Sequence, residues 1–313
     1  MKTKKQLAFI IIISLLAIFF SCETLGTVMP SGLIEQATGA LAEIGQATGN
    51  LTPGQAAALK KAGVAVEKAY EEITPEQEYY IGRAVGANIL SSYKLQAGKA
   101  AQLSYINKIC NALVVNSPRP DIFNGYHLNI LDSDEINAFA TPGGHIFMTR
   151  GLINTATSED TLASVIAHEI AHIQLQHGMM AIKKSRTNQA FASAAVSVAT
   201  IAVGDKEYAE LVNTFANGVG EIAITLMEKG YSRDQEFEAD SMAMALLEMA
   251  GYEPSSLIDM LKVLEKNQGK HPGGFNSTHP SPAQRITNAQ KKVGEFNVPD
   301  TRSHRAARFK AAM

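Results

Sequence analysis

One segment constrains the fold of this chain more than any other: residues 161–178, with the sequence TLASVIAHEIAHIQLQHG. Its apolar residues recur at helical spacing, and on a helix His168 and His172 would lie one turn apart on the same face. Two imidazoles at that spacing can bind one zinc ion, and Glu169, about 100° further round, can reach a water molecule beside the metal. In zinc hydrolases the metal acidifies this water and the carboxylate accepts its proton. The segment therefore predicts a zinc-binding helix.

The residues around the segment also fit a helix. Thr157 or Ser158 can cap its N terminus, two acidic residues suit the first turn, and Gly178 would end the helix. We expect His177 to be an ordinary histidine of the last turn, stabilised by the helix dipole. A single histidine is more often a surface or core residue than a ligand. The five-residue pattern, however, arises by chance in roughly one average chain in a hundred of this length, which favours the metal site.

Composition places the chain among ordinary globular proteins. Of its 313 residues 46% are hydrophobic and 19% are charged, and the formal net charge is −2. This balance predicts one sizeable domain, and it gives no basic excess that would favour nucleic acid. Three lysines precede an apolar run at residues 7–20, which is too short for a membrane span and has the length expected in a secretory signal. Residues 1–21 are therefore predicted to be a signal peptide.

Cys22 follows a small residue at the end of the apolar run, as in the processing site of bacterial lipoproteins. We expect Cys22 to be the lipidated N terminus of the mature chain and its attachment to a membrane. An uncleaved signal anchor and a plain signal peptide are the alternatives. The other cysteine, Cys110, is expected to be a small buried apolar residue, so no disulfide framework is predicted.

Residues 22–73 are predicted to be a lipid-attached tether followed by an N-terminal helix. The stretch 23–51 is rich in Gly, Ala, Thr and Gln, a composition typical of a linker. The capping boxes Thr52-Pro-Gly-Gln55 and Thr74-Pro-Glu-Gln77 predict the starts of two helices. We place the start of the catalytic domain near Ile73.

Before the motif helix, apolar residues recur at every second position, as in a β-strand, and no longer at helical spacing. Residues 127–131, 136–140 and 145–149 read as strands, the last of them after a Pro-Gly-Gly turn. The expected fold class is α+β and mostly helical, a zincin-like catalytic domain with a small β-sheet packed on the His-Glu-x-x-His helix. An edge strand beside the metal can hydrogen-bond an extended peptide and place its scissile carbonyl over the zinc.

The sequence after His172 bears on the third metal ligand. A metzincin would need glycine at position 175 and histidine at 178, where this chain has Leu175 and Gly178. A short-gap gluzincin would need glutamate at position 191, where Phe191 stands. A third ligand far downstream, on another helix, is the remaining option.

Such a helix is predicted to begin at the capping box Ser232-Arg-Asp-Gln235. Glu236 and Asp240 lie four residues apart, on a face that becomes apolar, and buried carboxylates need partners. Zinc would supply one, with Glu236 as ligand and Asp240 as an acceptor that hydrogen-bonds a ligand imidazole and fixes its tautomer. A solvated acidic first turn is the alternative, and it fits Asp234 and Glu238 better. The residues alone leave both readings of Glu236 open.

Read together, several separated motifs resemble the forty-eighth metallopeptidase family, gluzincins that include BepA-like and LoiP-like periplasmic proteases, HtpX and the CAAX prenyl endopeptidases. The motifs are His168-Glu-Ile-Ala-His172 with His177, Ser232-Arg-x-x-Glu236-x-x-Ala-Asp240, and Thr278-His279-Pro280 with Arg285-Ile286. The likeness spans about residues 74–293. It implies one zinc ion per chain, with His168, His172 and Glu236 as ligands and Glu169 as the general base.

The resemblance also implies roles for residues around the metal. The substrate-binding edge strand would consist of Asn137, Ala138, Phe139 and Ala140; an interior strand is the alternative. His279 would lie on a loop facing the metal, where it would either stabilise the oxyanion or ligate zinc directly. Arg285 would assist the oxyanion, and the alternative for it is an ordinary surface arginine.

Two further segments belong to this prediction. Residues 187–229 are predicted to form an apolar helical insertion within the predicted protease domain 74–293, and its most apolar run, 189–203, is too short to span a membrane. We expect packed core there, or else a helical hairpin that covers the cleft or rests on a membrane or client. Residues 294–313 are expected to be a C-terminal tail.

The sequence thus predicts a zinc-dependent endopeptidase, anchored by lipid on the periplasmic side of a bacterial membrane, with the outer membrane favoured. By resemblance, its substrates would be unfolded, misassembled or damaged envelope proteins, and outer-membrane assembly machinery is an expected partner. The alternative is a chaperone or assembly factor for outer-membrane proteins with a latent protease site. A purely structural zinc site would leave Glu169 without a role.

Overall fold

The computed structural model describes residues 31–185, 230–267, 275–279, 282–296, 298 and 302–313. The predicted signal peptide, Cys22 and the insertion 187–229 lie outside the described residues. The chain divides into two compact units, one of Met1–Glu72 with Ile182–Ile222 and one of Ile73–Ala181 with Ala223–Met313. Among the described helices, none combines the length and apolar character that crossing a membrane requires.

The first unit contains a helical hairpin. Helix α1 (Leu33–Ala47) packs on α2 (Pro53–Tyr70) around a small apolar cluster that includes Leu59. Glu67 of α2 accepts hydrogen bonds from the backbone N–H groups of Gly32 and Ile34, so that it satisfies donors at the start of α1. The tether predicted from composition therefore includes a helix, α1, that the composition did not indicate.

The second unit is mostly helical, and it contains a small sheet. Its helices are α3 (Pro75–Ser92), α4 (Ala100–Val115), α5 (Arg150–Thr155), α6 (Glu159–Gln174), α7 (Arg233–Met249), α8 (Ser256–Lys266), α9 (Phe275–Thr278), α10 (Pro282–Lys292) and α11 (Arg302–Ala312). Its strands are β1 (His127–Leu131), β2 (Ala138–Ala140) and β3 (His145–Thr149). The predicted fold class is confirmed.

The sheet has the strand order β1-β3-β2, with β1 parallel and β2 antiparallel to β3. Among the described strands β2 therefore lies at an edge. It is shorter than predicted, because Asn137 is bound to Thr149: the backbone N–H of Asn137 contacts the Thr149 hydroxyl at 3.0 Å, and its carbonyl accepts from the Thr149 N–H at 3.0 Å.

Helix α3 lies against the sheet and against the turn that precedes β3. Val85 and Ile89 of α3 pack with Phe139 of β2. Gly143 in the turn has a φ of 68°, and a Cβ atom there would lie 2.4 Å from the Cα of Tyr79, so only glycine fits. This close approach holds α3 beside the edge strand.

Helix α6, which carries the His-Glu-x-x-His motif, is the centre of the second unit. It starts at the predicted cap, where the Ser158 side chain accepts a hydrogen bond from the Thr161 N–H. All of its residues are buried, including apolar side chains such as Ile166 and Ile170 that each stabilise the fold by about 1.5–3 kcal/mol. A helix buried all round must satisfy its polar side chains internally.

The first turn of α6 is held by the C-terminal helix. Arg305 of α11 forms two hydrogen bonds with Asp160, at 2.6 and 3.0 Å, and Arg308 pairs with Glu159. Tyr252 donates a further hydrogen bond to Glu159 at 2.9 Å. The predicted C-terminal tail therefore includes a helix whose side chains enclose the start of the motif helix.

The end of α6 differs from the prediction. A continuous helix to Gly178 is wrong: α6 ends at Gln174, and Gln176 adopts a left-handed conformation with a φ of 57°. Residues 177–185 are helical again. Arg119 donates to the carbonyls of Ile173 and Gln174, at 3.2 and 3.3 Å, and so satisfies acceptors that the helix end exposes.

Removing the Arg305 side chain tests the importance of the C-terminal helix. In Arg305→Ala the Asp160 carboxylate, whose side chain is only 3% exposed, would lose its cationic partner and keep the hydrogen bond from the Glu253 N–H. We expect the free energy of unfolding to fall by about 3–5 kcal/mol in urea denaturation followed by circular dichroism. Lys310→Ala, an exposed change on the same helix, should cost no more than about 0.5 kcal/mol. Equal losses in the two variants would contradict this account.

Candidate metal centre

Four donor side chains meet between α6, α7 and the residue after α9. His168 and His172 come from α6, Glu236 from α7, and His279 follows α9; all four are buried, and one ligand atom of each lies within 4.8 Å of the others. The Nε2 atoms of His168 and His172 are 3.1 Å apart. The Glu236 carboxylate lies 3.4 Å from each of these atoms, and His279 Nδ1 lies 3.0 Å from Glu236 Oε1.

These separations fit a tetrahedral zinc site. Ligand atoms at about 2.0–2.1 Å from zinc lie roughly 3.3–3.4 Å from one another in a tetrahedron. For five of the six pairs among these side chains the donor atoms lie 3.0 to 3.4 Å apart, and all four offer a ligand atom within 4.8 Å of the others. Imidazole nitrogens and a carboxylate are also the ligand types that zinc prefers. The residues present therefore suit this metal.

Glu169 lies beside the cluster with both carboxylate oxygens unsatisfied. The residue is fully buried, and neither oxygen has a hydrogen-bond partner within the described parts of the chain. Nε2 of His279 lies 3.7 Å from Glu169 Oε1, beyond hydrogen-bond distance. Burial raises the pKa of the Glu169 carboxyl. An unpaired buried carboxyl is costly, which is the pattern of a functional group rather than a structural one.

A fully buried guanidinium lies behind the donor cluster. Arg285 of α10 forms two hydrogen bonds with Asp240, at 2.6 and 2.9 Å, and its Nη1 lies 3.1 Å from Glu236. Asp240 in turn lies 3.1 Å from Nδ1 of His168. If Asp240 accepts the proton on this nitrogen, His168 Nε2 carries the free lone pair that a metal needs. The predicted oxyanion role for Arg285 is not favoured, because its guanidinium is engaged by two carboxylates.

The charges of the cluster balance one another. Burial acts to raise the pKa of Glu236, but His279, Arg285 and the two ligand imidazoles hold it well below its usual value. The pKa of Asp240 is lowered to about 2, because attraction to Arg285 outweighs its burial. Burial and Arg285 oppose a charge on His168, yet Asp240 and Glu236 raise its pKa to about 9. Burial keeps the pKa of His172 low. A bound metal would replace the proton on His168.

The ring of His172 is held by contacts that the sequence analysis did not predict. Its Nδ1 lies 2.9 Å from Nδ1 of His177, and Nε2 of His177 lies 3.3 Å from Glu238. Tyr231 stacks on the His172 ring, with centroids 4.0 Å apart and an angle of 15° between the planes. His177 is fully buried and lies beyond the end of α6 at Gln174, so its predicted place in the last turn of that helix was wrong.

His279 reaches the cluster from a short segment anchored to the start of the edge strand. The Phe275 N–H donates to the carbonyl of Ile136 at 2.7 Å, and the Thr278 hydroxyl lies 3.4 Å from the Asn137 side chain. A Cβ atom at Gly230 would lie 1.8 Å from the Thr278 carbonyl oxygen, so this contact requires glycine. These contacts hold the segment over the donor cluster.

The edge strand lies next to the same segment. A small cavity is lined by Val85, Ile89, Ala138, Phe139, Ala140, Thr141, Tyr231, Thr278 and His279. Ala138, Phe139 and Ala140 form β2, and Asn137, which is buried, lies just before it. The predicted strand, the His279 segment and the donor cluster are thus neighbours.

The structure brings the predicted site residues together from four separate parts of the sequence. Those that lie in or around the cluster are His168, Glu169, His172, Glu236, Asp240, His279 and Arg285. Cys22 lies outside the described residues. The sequence analysis placed His177 in the motif but did not predict its contact with His172. It did not predict the role of Tyr231 either, for which the only signal was its position beside the Ser232 cap.

Together, the fold and this donor set define a zincin-like metalloprotease. The model of one family, described as Peptidase family M48, matches residues 100–293. The chain belongs to this family, whose members are metalloproteases, and the resemblance inferred from the motifs is confirmed.

Three relatives illustrate the likeness. The beta-barrel assembly-enhancing protease of Yersinia pestis is 27% identical over 204 residues, which cover 64% of this chain and 40% of that protein. The mitochondrial metalloendopeptidase OMA1 of Schizosaccharomyces pombe is 27% identical over 62% of this chain and 54% of its own length. Metalloprotease LoiP of Escherichia coli is 27% identical over 62% of this chain and 71% of its own length. The chain therefore spans less than half of the first relative.

Glu169→Gln is expected to stabilise the metal-free protein at neutral and alkaline pH. A carboxyl whose pKa is raised by folding destabilises the fold only when it ionises. The variant should therefore gain stability over the wild type as pH rises above the usual value of 4.5, with no such gain below it. The measurement is urea unfolding of both proteins in a metal chelator from pH 4 to 9. A stability difference that does not change with pH would contradict the buried, unpaired state of Glu169.

Proposed function

We propose that this chain is a zinc-dependent endopeptidase that hydrolyses peptide bonds in unfolded or misassembled proteins of the bacterial envelope. One observation carries the proposal: a buried carboxyl whose oxygens have no hydrogen-bond partner among the described residues, Glu169, adjoins a cluster of donor atoms spaced for one zinc ion. A purely structural metal site gives no reason for that carboxyl. Membership of a metalloprotease family supports the same conclusion.

In the proposed reaction, His168, His172 and Glu236 hold the metal. A zinc ion bound there would supply a Lewis acid that polarises the scissile carbonyl and acidifies a water molecule. Glu169 takes a proton from the water, whose oxygen attacks the scissile carbonyl carbon, and it gives that proton to the amine as the C–N bond breaks. Burial favours this cycle, because a raised pKa lets the carboxyl hold the proton between the two transfers.

His279 is proposed as a fourth donor in the conformation described. Its Nδ1 lies 3.3 Å from His168 Nε2 and 3.0 Å from Glu236, as a metal ligand would. Such a ligand occupies the place that the reacting water needs, so substrate must displace it. After displacement the imidazole is a candidate donor to the oxyanion. Arg285 is proposed to act indirectly, by holding Glu236 and Asp240 in place.

The substrate is proposed to bind in an extended conformation along β2. This strand lies at the edge of the described sheet and beside the His279 segment. Main-chain hydrogen bonds to an edge strand bind peptides with little regard to sequence, which suits a protease for misassembled proteins. Val85, Ile89 and Phe139 form the apolar side of the small cavity beside this strand.

We place the protein in the cell envelope, attached to a membrane through a lipid on Cys22, with the outer membrane favoured. The predicted signal peptide and a bacterial relative named for enhancing β-barrel assembly support this location. A relative named for enhancing β-barrel assembly makes outer-membrane assembly machinery a candidate partner. An assembly factor with a latent protease site is the second candidate function, which the position of His279 in the cluster favours.

Glu169→Gln tests the protease directly. Loss of the general base should lower kcat on an unfolded reporter protein by about 10²–10⁴-fold, while zinc content stays at one ion per chain. Glu236→Gln should instead lower the zinc content. Asp234→Asn, an exposed change on the same helix, should leave both unchanged.

In cells, the same variant separates the two candidate functions. If Glu169→Gln kept full cellular function although its proteolysis was lost, the assembly-factor function would replace the protease. A purified wild-type protein that folds but never takes up zinc would overturn both the metal site and the mechanism.

Cys22→Ala tests the lipid anchor. The wild type should sediment with membranes and incorporate labelled palmitate, whereas the variant should do neither, because the acylated sulfur is absent. Cys110→Ala, at the only other cysteine, should behave as the wild type in both measurements. Membrane association that survives the loss of Cys22 would contradict lipid anchoring.

A further inference from the structure

The ring of His172 faces the donor cluster with Nε2, so Nδ1 is its outer nitrogen. The hydrogen-bond partner of this outer nitrogen is unusual. For His168 the outer nitrogen, Nδ1, lies 3.1 Å from a carboxylate, Asp240. For His172 the outer nitrogen lies 2.9 Å from a second imidazole, that of the fully buried His177. A carboxylate reaches His177 only on its far side, where Glu238 lies 3.3 Å from Nε2.

The carboxylate fixes the direction of the hydrogen bonds in this chain of three residues. The carboxylate oxygens of Glu238 are hydrogen-bond acceptors, so His177 must carry its proton on Nε2. Nδ1 of His177 then has a free lone pair and accepts the proton on Nδ1 of His172. That tautomer leaves Nε2 of His172 unprotonated, and this is the atom that lies 3.1 Å from His168 Nε2 in the donor cluster. The opposite direction would place a proton on the metal-facing nitrogen.

The backbone is bent in a way that this contact requires. On a continuous α-helix, side chains five residues apart point about 140° away from each other, so His177 would face away from His172. The helix instead ends at Gln174, and Gln176 takes a left-handed conformation that a residue with a side chain rarely adopts. This break turns His177 back towards His172. Strained backbone of this kind is found where a functional arrangement demands it.

We propose that His177 and Glu238 are positioning residues for the metal: they set the tautomer of His172 and hold its ring towards the ion. The proposal rests on the proposed metal site. Tyr231, stacked on the face of the same ring, limits its rotation. The competing explanation is that His177 is only a packed core residue and Glu238 a solvated surface charge.

Four variants of the full-length protein distinguish these explanations, with zinc affinity measured by chelator competition. His177→Ala should weaken zinc binding about 10–100-fold, as the loss of such outer partners commonly does. Glu238→Gln keeps an acceptor oxygen and should stay within about twofold of the wild type. Glu238→Lys presents a donor to His177 and forces the opposite tautomer, so we expect a loss of about tenfold or more.

Asp234→Lys is the matched control for Glu238→Lys. Both are charge reversals on α7, at side chains that are 85% and 62% exposed. A general electrostatic effect would weaken zinc binding in both variants, whereas the proposed tautomer effect requires Glu238. The visible spectrum of the cobalt-substituted protein gives a second readout, and its ligand-field bands should shift in His177→Ala and Glu238→Lys only.

Unchanged zinc affinity and cobalt spectra in His177→Ala and Glu238→Lys would overturn the proposal. Equal losses in Glu238→Lys and Asp234→Lys would do the same. If His177→Ala does not fold, the exposed Glu238 supplies the test by itself. Failure of the metal site is distinguishable, since then the wild type would bind neither zinc nor cobalt.

Discussion

The buried guanidinium of Arg285 is the interaction on which the rest of the site depends. It joins α10 to two carboxylates of α7, Asp240 and Glu236, and through Asp240 to His168 of α6. Burying like charges so close together would be prohibitive without a partner, and an uncompensated buried charge costs several kcal/mol. The guanidinium removes that cost. It therefore allows acidic residues and imidazoles to share one water-poor space.

Arginine side chains also hold the motif helix, α6, at both ends. At its start the carboxylates of the first turn are paired by Arg305 and Arg308, and at its end Arg119 donates to the last carbonyls. A helix with all its residues buried has little freedom to shift, and these contacts remove what remains. Rigid support of this kind places reactive groups within the narrow tolerances that metal binding and catalysis require.

The outer contacts of the two motif histidines complete this arrangement. Asp240 holds His168 directly, while His177 and Tyr231 hold His172 at its edge and face. His279 is held differently, because it follows a four-residue helix attached to the edge strand through Phe275 and Thr278. The donors on long helices are thus fixed by the core, whereas the fourth donor depends on a short local segment.

Much of this could be read from the sequence where the signal is local. The His-Glu-x-x-His spacing, the caps at Ser158 and Ser232 and the alternation in 127–149 depend on neighbours within a few residues, so helices and strands followed from elementary periodicity. Helix α1 was missed because the Gly, Ala, Thr and Gln of its segment fit a linker as well as a helix. The C-terminal helix was missed because its basic residues acquire their partners, Glu159 and Asp160, only in the fold.

The sequence by itself determined the kinds of donor and the helices that carry them, since one helical turn places His168 beside His172 whatever surrounds them. Only the tertiary structure decided which carboxylate meets that pair, where Arg285 is buried and how His177 turns back to His172. Those contacts join residues that are far apart in the chain or separated by a backbone break, and neither a period nor a propensity encodes the distance between them.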